Sequence, residues 1–317
     1  PEACVKKICM TGEVKQAPGI AFKADDGGME VNEQEILPLD DFPLPAYQLL
    51  DVKDYDYEVL GSRLAVLEGS RGCPYNCVFC LQKMFSGYRK KTPANLLGEI
   101  DYAVKEWGAE TIYFMDLEFT INKDLVREVS RHMVEMDYDV KWCCQTRADS
   151  VDAETLSLMK EAGCKLIHYG VESGSERIQS QINKEISLEE IKRGVGLTKE
   201  AGIEAACFFM LGFPGETKKE MRETIKFAIE LNPTYASFHN VAPYPGTLLN
   251  KMTCAGDDFP LNIPEHDFKM LRGMAREAFL RFYLRPGYII ERLKTGSPSQ
   301  WMRQLKLFKS YLTRNKI

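Results

Sequence analysis

The sequence predicts an α/β fold built on a parallel sheet, and three observations carry the prediction. From about residue 62, apolar strand-like runs alternate with stretches of helical periodicity. The runs are nearly continuous in apolar residues, as strands covered by helices are. The helical stretches begin and end on capping residues.

The six strand-like runs are RLAVLEG (63–69), ETIYFMD (110–116), VKWCCQT (140–146), KLIHYGVE (165–172), EAACFFMLGF (204–213) and TYASFHNVA (234–242). Between them lie five helical stretches, 94–108, 123–136, 153–163, 188–202 and 217–231. Gly108, Gly163 and Gly202 close three of these as C-terminal caps. Asp152 and Ser187 stand where N-caps belong. Six units of this kind, rather than eight, imply an incomplete barrel or an open doubly wound sheet. In both, functional residues collect just after the strands.

Residues 1–60 read as a lead-in: a short helical piece, two strand-like runs flanking a DDGG turn signal, and an acidic, Pro-interrupted connector. Residues 61–255 form the alternating unit, and 256–317 read as a helical extension. From Arg281 onward there are nine Lys or Arg and one acid, Glu291, so a docked terminal helix is expected, with peripheral membrane contact as the alternative. The chain opens at Pro1 with no initiator Met and is expected to be a fragment or a processed form.

Composition is that of a globular protein, with 44% hydrophobic and 27% charged residues and a net charge of −5. No run approaches the roughly 18 apolar residues of a membrane span. The acidic balance gives no footprint for nucleic acid. Ten cysteines in a large, signal-free chain point to a reducing cytoplasm and to metal or catalytic use of clustered thiols. Cys4, Cys9, Cys143, Cys144, Cys164, Cys207 and Cys254 read as buried small hydrophobes.

The other three, in "SRGCPYNCVFCLQK", are Cys73, Cys77 and Cys80, on the loop after the first strand. Pro74 and Asn76 favour the turns that let three thiolates converge. A structural zinc site would need a fourth ligand, and no second cysteine pair with finger spacing exists. An iron–sulfur cluster held by thiolates fits better. Three thiolates would hold three corners of a [4Fe–4S] cube and leave one iron open.

This C-x3-C-x2-C spacing, with Phe79 before the last cysteine, resembles the signature of the radical S-adenosylmethionine superfamily. "GCKLIHYGVESGS", "MLGFPGET" and "APYPGTLL" extend the likeness to its cobalamin-associated branch, over roughly residues 35–290. That branch includes methyltransferases and enzymes of the anaerobic magnesium-protoporphyrin ester cyclase type. The resemblance implies a partial (β/α)6 barrel, with S-adenosylmethionine chelating the open iron of the cluster. It implies a one-electron donor of the flavodoxin or ferredoxin type and a small-molecule or lipid-like substrate. It also implies a cobalamin-binding domain before the barrel, of which residues 1–60 would be only the tail and linker.

The resemblance further implies that Asp116 or Glu118 binds the methionine ammonium. Arg147 would pair its carboxylate or a nearby acid, and Glu172 and Ser173 would meet the ribose. Phe79, Met210 and Gly212 would lie against the adenine, with Gly215 allowing close backbone approach. Each acid also suits a structural cap, and Arg147 a structural ion pair. Methyl transfer to an unactivated centre is the leading expectation, with oxidative ring closure as the alternative and a fully ligated Fe–S electron carrier as the reading of another class.

Overall fold

The computed structural model describes residues 2–81, 87–253, 263–295 and 301–302. Six strands form one sheet: β1 (Leu64–Leu67), β2 (Thr111–Phe114), β3 (Lys141–Thr146), β4 (Cys164–Glu172), β5 (Glu204–Leu211) and β6 (Tyr235–Asn240). They pair in parallel and in strict sequence order. A doubly wound sheet reverses its order part-way across. This one never does, so the chain winds in one direction, and β1 and β6 stay unpaired with each other. The result is a partial (β/α)6 barrel, open between its first and last strands.

The crossovers are α1 (Pro93–Asp101), α2 (Lys123–Glu135), α3 (Ala153–Glu161), α4 (Leu188–Glu200) and α5 (Lys218–Leu231). Asp152 caps α3 by accepting from the Thr155 N–H, and Ser187 and Thr217 open α4 and α5 with reciprocal capping boxes. Gly108, Gly163 and Gly202 take φ of +75°, +92° and +74°, the left-handed exit that favours glycine. One difference lies inside the first stretch, where α1 widens into a π-type turn over Tyr102–Glu106.

Strand alternation divides the side chains between two faces. Trp142, Cys144, Ile167, Tyr169, Val171, Cys207 and Phe209 point to the helices and form the main core. Cys143, Leu166 and Ala206 point inward and pack with Leu60, which plugs the lower end of the barrel. Leu60 is delivered by a hairpin of Asp56–Tyr57 and Gly61–Ser62. Tyr47 stacks on Trp107 at 4.4 Å, and its hydroxyl donates to the Val66 carbonyl at 3.1 Å. The lead-in therefore reaches the barrel well before residue 60, since Leu39 is also buried and Asp40 accepts from the Thr92 N–H at 3.0 Å.

Before that point the chain forms a helix, Glu2–Thr11, and an antiparallel pair, Ala21–Lys23 with Met29–Val31, across the DDGG turn. The helix buries none of its residues, so Cys9 is exposed and Cys4 half-buried, not core thiols. Cys143, Cys144, Cys164 and Cys207 are buried, and Cys254 lies outside the described residues. After the barrel, α6 (Phe268–Tyr283) packs on β6 and α5 and is followed by α7 (Pro286–Thr295). Most of the basic terminal stretch lies outside the described residues. No described helix is long and apolar enough to cross a membrane.

Helix α4 lies so close to the turn after β3 that a Cβ on Gly194 would sit 1.9 Å from the Ala148 carbonyl oxygen. Gly196, two residues on, faces open space. Gly194→Ala is expected to cost about 3 kcal/mol through overpacking. Gly196→Ala should gain up to about 1 kcal/mol from helix propensity. Urea unfolding of the two variants checks the contrast, and equal midpoints would contradict this packing.

Candidate functional site

The site grows from the loop after β1. That loop starts as a two-residue ladder, Ser70–Arg71 paired with Arg89–Lys90. Gly72, at φ +90°, has no room for a side chain, since a Cβ would lie 2.1 Å from the Gly87 carbonyl oxygen. Main-chain bonds then fix the cysteine segment on two sides. The Val78 N–H donates to the Ile182 carbonyl at 3.0 Å, and the Leu249 N–H donates to the Val78 carbonyl at 2.8 Å. Val78 itself is buried with Ile178, Ile182, Phe213 and Leu249 in a small core. The loop is thus pinned to the segments that follow both β4 and β6.

Asp116 holds the root of this loop. Its two oxygens accept from the Gly69 N–H at 2.9 Å and the Ser70 hydroxyl at 2.5 Å. Both are engaged, and the side chain is absent from the cavity lining. Burial pushes its pKa up to about 6.

A cavity of about 300 Å³ opens beside the three cysteines, lined also by Tyr75, Phe79, Glu118, Arg147, Glu172 and Lys184. Glu118 is 8% exposed and accepts from the Arg147 N–H at 2.7 Å. Burial raises its pKa to about 7, with Lys184 and Arg147 opposing. Glu172 reaches the cavity through a β-bulge at Gly170–Glu172 and a left-handed φ of +66°. There it pairs with the Lys184 ammonium at 3.2 Å.

Lys184 is buried and flanked by two left-handed residues, Asn183 and Glu185, both at φ +53°. Such non-glycine conformations cost roughly 1–2 kcal/mol each. Arg147 holds the contorted loop in place by donating to the Lys184 and Glu185 carbonyls. Its guanidinium also pairs with Asp149 at 2.8 Å and lies 3.9 Å from the Tyr75 ring centre. Arg147 is therefore committed to the protein, while Lys184 presents the cavity's other cation. Sequence reading missed Lys184, whose only signal was a loop lysine after a short helix, Glu176–Gln181.

Of the anticipated residues, Cys73, Cys77, Cys80, Phe79, Glu118, Arg147 and Glu172 meet in this cavity. Ser173 does not: it is fully buried, its hydroxyl 3.2 Å from that of Thr224 and accepting from the Ser175 N–H. Met210 is partly buried and, like Phe79, packs against the small core. Gly212, at φ +95°, leaves room for Leu271 of α6, since a Cβ there would lie 2.7 Å from its Cδ2. Gly215, at φ +64°, faces open space, where a Cβ would meet nothing within 4 Å.

The thiols decide what the site suits. None of the three is in a disulfide, and burial pushes Cys73 up to about 11 and Cys77 upward against the pull of Lys184. Among the described residues no three His, Cys, Asp or Glu side chains converge as a single-ion site. Three soft sulfur donors lining one cavity fit an iron–sulfur cluster.

Comparison with known proteins agrees. Residues 67–228 match the radical SAM superfamily model. An uncharacterized methyltransferase of Pyrococcus horikoshii is 31% identical over 297 residues, covering 88% of this chain and 64% of that protein. The anaerobic magnesium-protoporphyrin IX monomethyl ester cyclase of Rubrivivax gelatinosus is 31% identical, covering 72% of this chain and 42% of its own. The cobalamin-dependent S-adenosylmethionine radical enzyme OxsB, solved with aqua-cobalamin and S-adenosylmethionine, superposes with a TM-score of 0.73 at 17% identity, over 99% of this chain and 54% of that one. This chain thus spans about two-fifths to two-thirds of the curated relatives' length. It belongs to the radical S-adenosylmethionine superfamily.

The raised Asp116 carboxyl makes a pH prediction. Its folded value of about 6 lies above the ordinary 3.8, so ionisation between about pH 4 and 6 opposes folding. Stability from this group is present below that window and falls as pH rises through it, by up to about 3 kcal/mol. Asp116→Asn removes the titration. The stability of the variant relative to wild type should therefore rise between pH 4 and pH 7, as read by urea midpoints, and an unchanged difference would refute it.

Proposed function

We propose that this chain is the catalytic barrel of a radical S-adenosylmethionine enzyme that transfers a methyl group to an unactivated centre in association with cobalamin. The observation that carries the reading is the cavity itself, where three thiols stand beside two buried carboxylates and a buried ammonium. Cys73, Cys77 and Cys80 would hold a [4Fe–4S] cluster. When bound, that cluster supplies the electron that splits S-adenosylmethionine into methionine and a 5′-deoxyadenosyl radical.

The chain's own groups match the polar ends of S-adenosylmethionine. Glu118 is the acceptor for its ammonium, because Asp116 has both oxygens engaged elsewhere. Lys184 pairs with its carboxylate, in place of the committed Arg147. Glu172, turned inward by the bulge, takes a ribose hydroxyl while keeping Lys184 aimed. Phe79, packed 5.8 Å from Phe213, offers an apolar wall to the adenine.

Relatives named as methyltransferases support methyl transfer, and the cyclase likeness at 31% identity supports ring closure as the second reading. Cobalamin enters from the structural neighbours. Residues 2–60 contribute a helix and small hairpins, which is less than a domain for it. An oxygen-sensitive cluster and a need for a low-potential donor fit a cytoplasmic enzyme served by a flavodoxin- or ferredoxin-type carrier. The nine Lys or Arg from Arg281 onward keep peripheral membrane contact as the second reading of the terminal stretch.

Anaerobic reconstitution with iron and sulfide tests the reading. Wild-type protein should take up about four irons and release 5′-deoxyadenosine when given S-adenosylmethionine and dithionite. Cys80→Ala should lose the cluster, whereas Cys164→Ala, altered in the helix-facing core, should keep it. A cluster blind to S-adenosylmethionine would leave only an electron carrier. In turnover with substrate, S-adenosylhomocysteine beside 5′-deoxyadenosine marks methyl transfer, and its absence marks ring closure.

Gly170 gives a finer check. A Cβ there would lie 2.4 Å from Glu172 Oε1 and 3.0 Å from Lys184 Nζ. Gly170→Ala is expected to keep its iron but weaken S-adenosylmethionine binding about tenfold, the loss of one charge-assisted contact. The perturbation of the reduced cluster's EPR signal on titrating S-adenosylmethionine measures it, and an unaltered titration would remove Lys184 from the site.

A further inference from the structure

The inner wall of the barrel has two storeys. Below, Leu60 plugs the space between Cys143, Leu166 and Ala206. Above, side chains do not fill the interior, although the inside of a closed barrel is normally packed. Phe208 of β5 is 38% exposed, Met115 after β2 46%, and Val66 of β1 49%. These are inward positions of a sheet whose outer face is buried.

Planar rings run in an arc from the plug into this upper storey, Tyr57 and Tyr113 packing against the plug and His168 and Phe208 lining the cavity. Tyr113 of β2 stands 5.4 Å from His168 of β4, which stands 5.8 Å from Phe208, which lies 6.2 Å from His239 of β6. Tyr57 of the lower hairpin stacks on Tyr113 at 5.7 Å, and its hydroxyl meets His168 Nε2 at 3.1 Å. Gln145, whose amide oxygen accepts from Tyr113, completes the wall on β3.

The cavity's two ends differ in charge. Glu118, Arg147, Glu172 and Lys184 stand at the cysteine end. The other end is made of Gln145, His168 and Phe208, with His239 beside Phe208. Burial lowers the pKa of both histidines, to about 4 for His168, so both rings are neutral near pH 7. Glu172 is the charged group that acts on His239.

We propose that this ring-lined upper storey is the substrate seat and that it takes a planar, unsaturated, uncharged group. Apolar wall left open at Phe208, which lines the cavity, gains from being covered. Rings spaced at 5–6 Å stack on another flat ring in the offset and edge-to-face arrangements that aromatic groups favour. A charged ligand would lose hydration against a wall whose polar groups, at Gln145 and His168, offer hydrogen bonds but no countercharge. The inference rests on the radical reading for the word substrate, and the chamber can be tested apart from it.

The test uses the intact chain with indole as the planar neutral probe, benzoate as the planar anion and cyclohexanol as the saturated neutral ring. Saturation-transfer NMR titrations give three affinities. Indole should bind at least about tenfold more tightly than the other two. Phe208→Leu keeps apolar bulk and removes the ring, so it should weaken indole about three- to tenfold. An unchanged melting temperature shows that this variant folds. Equal binding of the three probes, or indole binding unaffected by Phe208→Leu, overturns the proposal. In the same preparations, cluster assembly and 5′-deoxyadenosine release are measured. Cleavage without indole binding overturns the seat alone, whereas indole binding with no cleavage leaves the seat and overturns the radical reading.

Discussion

The buried guanidinium of Arg147 ties together the loops on which the site depends. It is 1% exposed, and its partners come from three places: Tyr75 on the cysteine loop, Asp149 on its own turn, and the carbonyls at Lys184 and Glu185. Removing such a charge from water costs several kcal/mol unless every donor is met. Here the matching is close to complete, which makes the arrangement all-or-none. If the Lys184 loop relaxed, two guanidinium bonds would be lost, and Asn183 would also lose its bond to the Asn76 carbonyl at 3.2 Å. The cysteine loop and the lysine loop are thereby held at a fixed distance before any cofactor arrives.

Barrel geometry explains why that distance matters. Parallel strands wound in one direction bring all their C-terminal ends to one rim, so loops far apart in sequence meet there. Val78 bonds to Ile182 and Leu249, segments more than 100 and 160 residues away. A loop carrying three thiols has little regular structure of its own. Its shape comes from these borrowed partners and from Asp116, which accepts the burial of its carboxyl to hold Gly69 and Ser70.

Much of this was legible in the sequence because it rests on local chemistry. The six strands, the caps at Asp152 and Ser187 and the cysteine spacing are patterns within a few residues. The choice between open barrel and doubly wound sheet was not local, since strand order depends on crossovers that periodicity does not describe. Asp116 and Glu118 could not be separated either. They differ in where their oxygens point, one toward the root of the loop and one toward the cavity, and two residues on an irregular strand exit leave no pattern for that. Lys184 was invisible for a related reason. Its position inside the barrel comes from left-handed backbone at Asn183 and Glu185, residues that carry no glycine to advertise it. Ser173 misled because its hydroxyl, in the right motif, is used by Thr224 and Ser175 instead.

The separation of charge along the cavity follows from the same constraint. On the proposed reading, a radical would be made beside the cysteines, among charged groups, and used on an uncharged group held at the neutral end of the cavity. Within the rim, where the loops can be contorted to reach, Lys184 pairs with Glu172, Arg147 pairs with Asp149, and Glu118 accepts from the Arg147 N–H. The strands below offer only regular backbone, so their inward side chains are set by alternation alone. At Gln145, His168 and Phe208 those positions hold neutral groups, and Gly170 removes a side chain where the two regions meet. A single glycine thus gives Lys184 room to approach Glu172 above while leaving the rings below uncovered.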